Sequence, residues 1–153
     1  MADISIEDIK KLREQTGAGI TDAKKALVET GGDYDKAVEA MRKKGFDKAA
    51  KRADREASAG LIGSYVHDGR IGVLVEVNCE TEFVAKTDEF KDLAKDLCLH
   101  TAASEAKDPE ALLKEPFVKD PSISVDDYVK QHIAKLGENI VLRRFERFSL
   151  GEA

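Results

Sequence analysis

Cysteine is scarce in this sequence: Cys79 and Cys98 are the only two in 153 residues, and they form no C-x-x-C pair. Two thiols are too few for a disulfide framework in a chain of this size. Long apolar runs are also missing, and none approaches the roughly 20 residues that span a bilayer. The first residues, Met1-Ala2-Asp3-Ile4-Ser5, have neither the basic segment nor the apolar stretch of a signal peptide. Excess positive charge is absent as well. A formal net charge of -5 and a pI of about 5.3 argue against general binding to nucleic acid or to an anionic membrane. The expectation is a soluble cytosolic protein, or an organellar one already trimmed of its transit peptide, with neither nucleic acid nor membrane as a partner.

The motifs of catalysis are missing too. His67, His100 and His132 fall on a strand end and two separate helices, without H-E-x-x-H or other metal-ligand spacing, so no metal and no cofactor are expected. There is no G-x-S-x-G. Cys79 stands beside Glu76, Glu80 and Glu82, where negative charge raises a thiol's pKa and does not activate it. Gly17-Ala18-Gly19 has no preceding strand and no closing G-K-[ST], so it reads as a turn and not as a phosphate loop. An enzyme is not expected.

What is present is 42% hydrophobic and 36% charged residues, enough for a core under a heavily charged surface, in one medium domain or two small ones. Ser5-Ile6-Glu7-Asp8 resembles a capping box, followed by Ile6, Ile9 and Leu12 on one face and a stop at Gly17. A second helix starts near Thr21, with Ala23, Ala26 and Leu27 inward, and ends at Gly31-Gly32. A third, capped by Asp33, carries Ala37, Val38 and Met41 and closes at Gly45. Lys43 to Arg55 then reads as a basic, alanine-rich linker helix. Its charges, Arg52 among them, form either a solvated face or an electrostatic contact to an acidic partner. Residues 1–55 are thus expected to form a three-helix domain with a basic linker.

Residues 56–153 read as an α+β core. Leu61–His67 and Ile71–Asn78 flank Asp68-Gly69-Arg70, a strong hairpin signal. Phe90, Leu93, Leu97 and His100 then recur at helical spacing and are expected to pack on the sheet, with His100 reading first as a core histidine. Residues 108–120 read as a loop with a short helical piece at 111–114. A capping-box-like Ser124 opens a helix that carries Val125, Val129, Ile133 and Leu136 and stops at Gly137. Residues 139–150 form a last strand. The expected fold class is α+β: three N-terminal helices, then an antiparallel sheet of about three strands with helices on one face.

Between the second strand and the Phe90 helix lies the corner Asn78-Cys79-Glu80-Thr81-Glu82-Phe83-Val84-Ala85. Phe83 sits seven residues before Phe90 and either continues the inner stripe or stands exposed as a wedge. Periodicity leaves the two even.

Two stretches carry a family resemblance. Leu12-Arg13-x-x-Thr16-Gly17-Ala18-Gly19-x-x-Asp22-x-Lys24-Lys25-Ala26-Leu27 resembles the N-terminal signature of elongation factor Ts. Glu76 to Ala85 resembles the second signature of that family. Lys135-Leu136-Gly137-Glu138-Asn139-Ile140 and His100-x-Ala102-Ala103-Ser104 match further segments in order. The resemblance implies a guanine nucleotide exchange factor for elongation factor Tu, acting on its GDP-bound and nucleotide-free forms in translation elongation. It implies a UBA-like N-terminal domain whose Arg13, Ile20, Thr21 and Lys24 touch the partner's GTPase domain. Thr81-Glu82-Phe83 stands where the family has Thr-Asp-Phe, whose phenylalanine inserts near the partner's magnesium and nucleotide. Leu136, Gly137 and His100 are implied as further contacts. Glu82 departs from the usual aspartate by one methylene. The long helical hairpin after Ser104 and a second core module are missing, and short relatives of that kind pair as homodimers. A different class stays open beside this one: a module that binds its partner through the three-helix domain without promoting exchange.

Overall fold

The computed structural model describes residues 3–152. Over them the chain runs α1 (Ile6–Thr16), α2 (Ile20–Glu29), α3 (Tyr34–Arg52), β1 (Ala59–His67), β2 (Ile71–Cys79), α4 (Glu82–Ala85), α5 (Asp88–Ala103), α6 (Pro109–Leu113), β3 (Pro116–Phe117), β4 (Asp120–Ser124), α7 (Val125–Leu136) and β5 (Val141–Ser149). The fold class is α+β as expected, with N-terminal helices followed by a three-stranded antiparallel sheet packed with helices. Two compact units result. One holds the chain up to Ala53 together with Lys130–Gly137, and the other holds Asp54–Val129 and Glu138 onward. Among the described residues no helix is long and apolar enough to cross a membrane.

In the first unit, Ser5 caps α1 by accepting the Asp8 N–H at 3.0 Å, and Asp33 caps α3 by accepting the Lys36 N–H at 3.1 Å. These caps satisfy amides that have no partner inside the helix. Leu12, Ala23, Ala26, Leu27, Ala37 and Met41 form the core, with Ile4, Ile9, Ala18, Tyr34 and Val38 packed against it. Two expectations change here. Ile6 is 70% exposed. At about 100° per residue it points some 120° away from Leu12, so the core takes Ile4 instead. The helix expected to close at Gly45 continues as one 19-residue α3 through the basic run. A Cβ at Gly45 would lie 3.5 Å from the Ala134 methyl group, an ordinary contact. A glycine in mid-helix costs about 1 kcal/mol against alanine, which is not enough to end a helix of this length.

In the second unit the β1–β2 hairpin forms where expected. Asp68 and Gly69 both take positive φ, 52° and 66°, and the Arg70 N–H donates to His67 O at 2.8 Å. Two positive φ values in succession match the twist of the strands, which explains the Asp-Gly preference. The sheet order is β1-β2-β5, all antiparallel. On its covered face α5 buries Phe90, Leu93, Ala94, Leu97 and Cys98. Helix and strand approach so closely at Gly63 that a Cβ there would stand 2.7 Å from Cys98 Sγ. The stretch read as a loop after α6 contains a small antiparallel ribbon, β3 with β4. Its Phe117 is buried and stacks on Tyr128 with ring centroids 4.1 Å apart.

The opposite face of the sheet carries exposed apolar side chains: Ile62 and Val66 from β1, Leu74 from β2 and Phe148 from β5. Val66, Gly72 and Phe148 occupy successive strands at one level, since Gly72 pairs with both.

Candidate functional site

β2 ends at Cys79, which is fully buried, and delivers Glu80 and Thr81 to the corner. Thr81 is the N-cap of α4, and its Oγ1 accepts the Val84 N–H at 3.3 Å. α4 is a single turn. Val84 and Ala85 face the core, 8% and 5% exposed. Because successive helical residues turn about 100°, that inward pair drives Phe83 to the opposite side. Phe83 is 83% exposed, the most exposed large apolar side chain among the described residues. The structure therefore takes Phe83 out of the core. Thr87 closes the turn: its hydroxyl donates to Val84 O at 2.8 Å and accepts the Phe90 N–H at 3.2 Å, which starts α5.

The corner is tied to residues far along the chain. The Glu138 carboxylate receives the N–H groups of Glu80 and Thr81, each at 3.0 Å on Oε1, and the Thr81 hydroxyl at 2.7 Å on Oε2. In return the Glu80 carboxylate accepts the Asn139 N–H at 3.1 Å and pairs with Arg55 at 3.7 Å. The Asn139 side-chain amide donates to Arg55 O at 2.8 Å. None of this was visible in the sequence. The hydrogen bonds that join Glu80 and Thr81 to Glu138 and Asn139 span 57 to 59 positions, and the one cue was two glutamates, each next to a turn.

Burial pushes the Cys79 thiol up to about 11, with the negative charge of Glu138 next in effect. Burial alone takes Cys98 to about 11. Neither is a nucleophile at neutral pH.

His100, by contrast, is 5% exposed. The Val118 N–H donates to its Nδ1 at 3.1 Å, so Nε2 carries the proton and donates to Glu115 Oε1 at 3.0 Å. Ser104 Oγ donates to the same carboxylate oxygen at 2.6 Å, and the imidazole stacks beside Phe117. Both ring nitrogens are thus used within the chain.

The remaining residues named from the sequence lie in the first unit. Arg13 is exposed in the last turn of α1. Ile20, 55% exposed, opens α2, and Thr21 and Lys24 follow on its exposed surface. Arg52 ends α3 half-buried, its guanidinium donating to Ile133 O at 2.8 Å. Leu136 is half-buried at the end of α7, and Gly137 takes a φ of 77° just beyond it. Part of the basic run is engaged nearby: Asp22 pairs with Lys44 at 3.2 Å and Lys48 at 3.7 Å. The Lys44 hydrogen bond holds the Asp22 carboxyl below its ordinary value. Among the described residues no cluster of three or more His, Cys, Asp or Glu is placed to hold a metal.

Comparison with known proteins identifies relatives of this chain. The family profile described as Elongation factor TS matches residues 80–153, which take in Glu80 to Ala85 of the corner. A protein of Gloeobacter violaceus named Elongation factor Ts is 44% identical, over 99% of this chain and 91% of its own length. Those of Herpetosiphon aurantiacus and Moorella thermoacetica are each 44% identical, over 97% of this chain and 98% and 96% of theirs. The first alignment runs over 199 positions against a chain of 153 residues, so that relative carries residues this chain lacks.

Proposed function

Because the chain belongs to the elongation factor Ts family, we propose that it is a guanine nucleotide exchange factor that binds elongation factor Tu–GDP and speeds GDP release by displacing the partner's magnesium- and nucleotide-binding region. The observation that carries this is Phe83, 83% exposed on a turn fastened at both ends. Leaving a phenylalanine in water costs roughly 2 kcal/mol that insertion between partner side chains recovers. A rigid aromatic anchor is the usual form of a binding hot spot. Exchange needs no bond chemistry. The factor must bind the nucleotide-free partner better than the nucleotide-bound one, and by reciprocity nucleotide then expels the factor. An aromatic side chain entering the space that the magnesium-supporting loops occupy supplies that difference.

In this reading Thr81 shapes the wedge and Glu82 accepts a hydrogen bond from the partner. The first unit acts as a UBA-like docking domain through Arg13, Ile20, Thr21 and Lys24, with Arg52, Leu136 and Gly137 adding contacts. The functional division follows residues 1–55 and 56–153, with 130–137 grouped with the first part by its packing. His100 serves from beneath the surface, by fixing the end of α5 against β3. The protein works in the cytoplasm, without cofactor, nucleic acid or membrane. The open sheet face bearing Ile62, Val66, Leu74 and Phe148 pairs with a second copy, since a contiguous apolar face of this kind favours burial.

The test is release of fluorescent GDP from elongation factor Tu as this protein is added. Saturable acceleration supports the proposal. A tight complex without acceleration selects the pure binding module, and absence of both defeats each reading. Sedimentation of Phe148→Glu beside the unaltered protein checks pairing, with conversion to monomer expected.

A further inference from the structure

We infer that Glu138 is a positioning residue for Phe83: its carboxylate sets the angle at which the corner presents the ring, and through that ring it controls the rate of exchange. The inference rests on the function proposed above and adds to it a residue that does not touch the partner through its own side chain.

Two backbone amides at the corner lie beyond the end of the β1–β2 ladder. The β1–β2 ladder ends at the pair Ala59–Cys79, so the N–H groups of Glu80 and Thr81 have no strand to donate to. Both point at one oxygen, Glu138 Oε1, and the Thr81 hydroxyl takes the other. Hydrogen bonds to an ionised acceptor are roughly twice as strong as neutral ones, and three of them on one carboxylate fix both the peptide plane before Thr81 and its side-chain rotamer. That rotamer matters, because the same Oγ1 receives the Val84 N–H and starts α4. Phe83 lies two residues beyond Thr81, so a small rotation at Thr81 swings the ring through a large arc. The return bond from the Asn139 N–H to Glu80 keeps the Glu138 backbone in place. The lock is therefore mutual: each glutamate holds the backbone beside the other. A wedge works by arriving already shaped, since ordering it on contact would use up binding energy.

The experiment compares Glu138→Ala, Glu138→Gln, Phe83→Ala and the Glu138→Ala/Phe83→Ala double variant in GDP release from elongation factor Tu, with factor concentration varied. Glu138→Ala is expected to lower the maximal rate roughly ten-fold while the half-saturating concentration stays within about two-fold, because docking through the first unit is untouched. Glu138→Gln keeps an acceptor for the two amides and recovers most of the rate. The double variant should be no slower than Phe83→Ala alone, since Glu138 acts only through the ring. A purely structural role would instead make the losses multiply. Full activity of Glu138→Ala, or multiplying losses, overturns the inference while leaving the exchange function standing. Should the unaltered protein fail to speed release at all, the function fails separately, and amide exchange in the free protein then decides the positioning claim. Glu80 and Thr81 amides that are protected in the unaltered chain and exposed in Glu138→Ala support it; equal exchange in both overturns it.

Discussion

Phe83 and His100 lie in the same unit, and the family resemblance implies partner contact for both, yet the structure treats them in opposite ways. Phe83 is 83% exposed and its ring stands on the outer side of α4. His100 is 5% exposed and spends both nitrogens inside the chain, on Val118 and Glu115. The difference teaches what each residue can be asked to do. An exposed apolar ring adds little to folding and much to association. A buried imidazole with two hydrogen bonds adds to folding, and its removal leaves Glu115 and the Val118 amide short of partners. Activity should therefore be lost through the first residue, and stability through the second.

The largest effect should come from Phe83→Ala. Losing a hot-spot aromatic typically removes 2 kcal/mol or more, so GDP release from elongation factor Tu should slow by roughly 30-fold or more. The melting temperature should hold within about 2 °C, because no core contact is lost. A large drop in melting temperature would break the comparison.

His100→Ala comes next, with a cost of about 2 kcal/mol in denaturant unfolding from the cavity and the unpaired polar groups. Exchange per folded molecule should stay within about two-fold. Gly63→Ala is smaller, about 1–2 kcal/mol, since the new methyl group meets Cys98 Sγ where a Cβ would stand 2.7 Å away. Adding Cys98→Ala should return part of that loss, which thermal melts of the two variants would show.

The smallest effect calibrates what an exposed charge is worth. Asp22 has its folded pKa lowered, chiefly by the hydrogen bond from Lys44. Its contribution is therefore present above the ordinary carboxylate value of 3.8 and lost as pH falls through the folded value. Because the pair is largely solvated, Asp22→Asn should cost only a few tenths of a kcal/mol at pH 7, and less as pH falls below 3.8. A cost of several kcal/mol would show that surface charge matters far more here than the burial argument allows.

The same contrast separates what local sequence pattern specifies from what only the fold brings together. The hairpin was legible because Asp68-Gly69 needs two positive φ values that few residue pairs accept. The inner stripe of α5 was legible because Phe90, Leu93 and Leu97 repeat at helical spacing. Phe83 was not. Its fate depends on Val84 and Ala85 taking the inward side of a one-turn helix, too short to show a period. The β3–β4 ribbon escaped for a similar reason: Pro116 and Pro121 interrupt strands of two and five residues before any alternation can register. At Gly45 the glycine reads as a stop, but the helix runs on through it to Arg52. The hold of Glu138 on the corner is long-range, and no local pattern announces it.

The most direct test places the two residues side by side: fluorescent-GDP release from elongation factor Tu driven by Phe83→Ala and by His100→Ala, at equal concentrations of folded protein. Phe83→Ala should release GDP roughly 30-fold or more slowly than the unaltered chain, while His100→Ala should stay within about two-fold of it. Near-normal release by Phe83→Ala, or a comparable loss in folded His100→Ala, would contradict this.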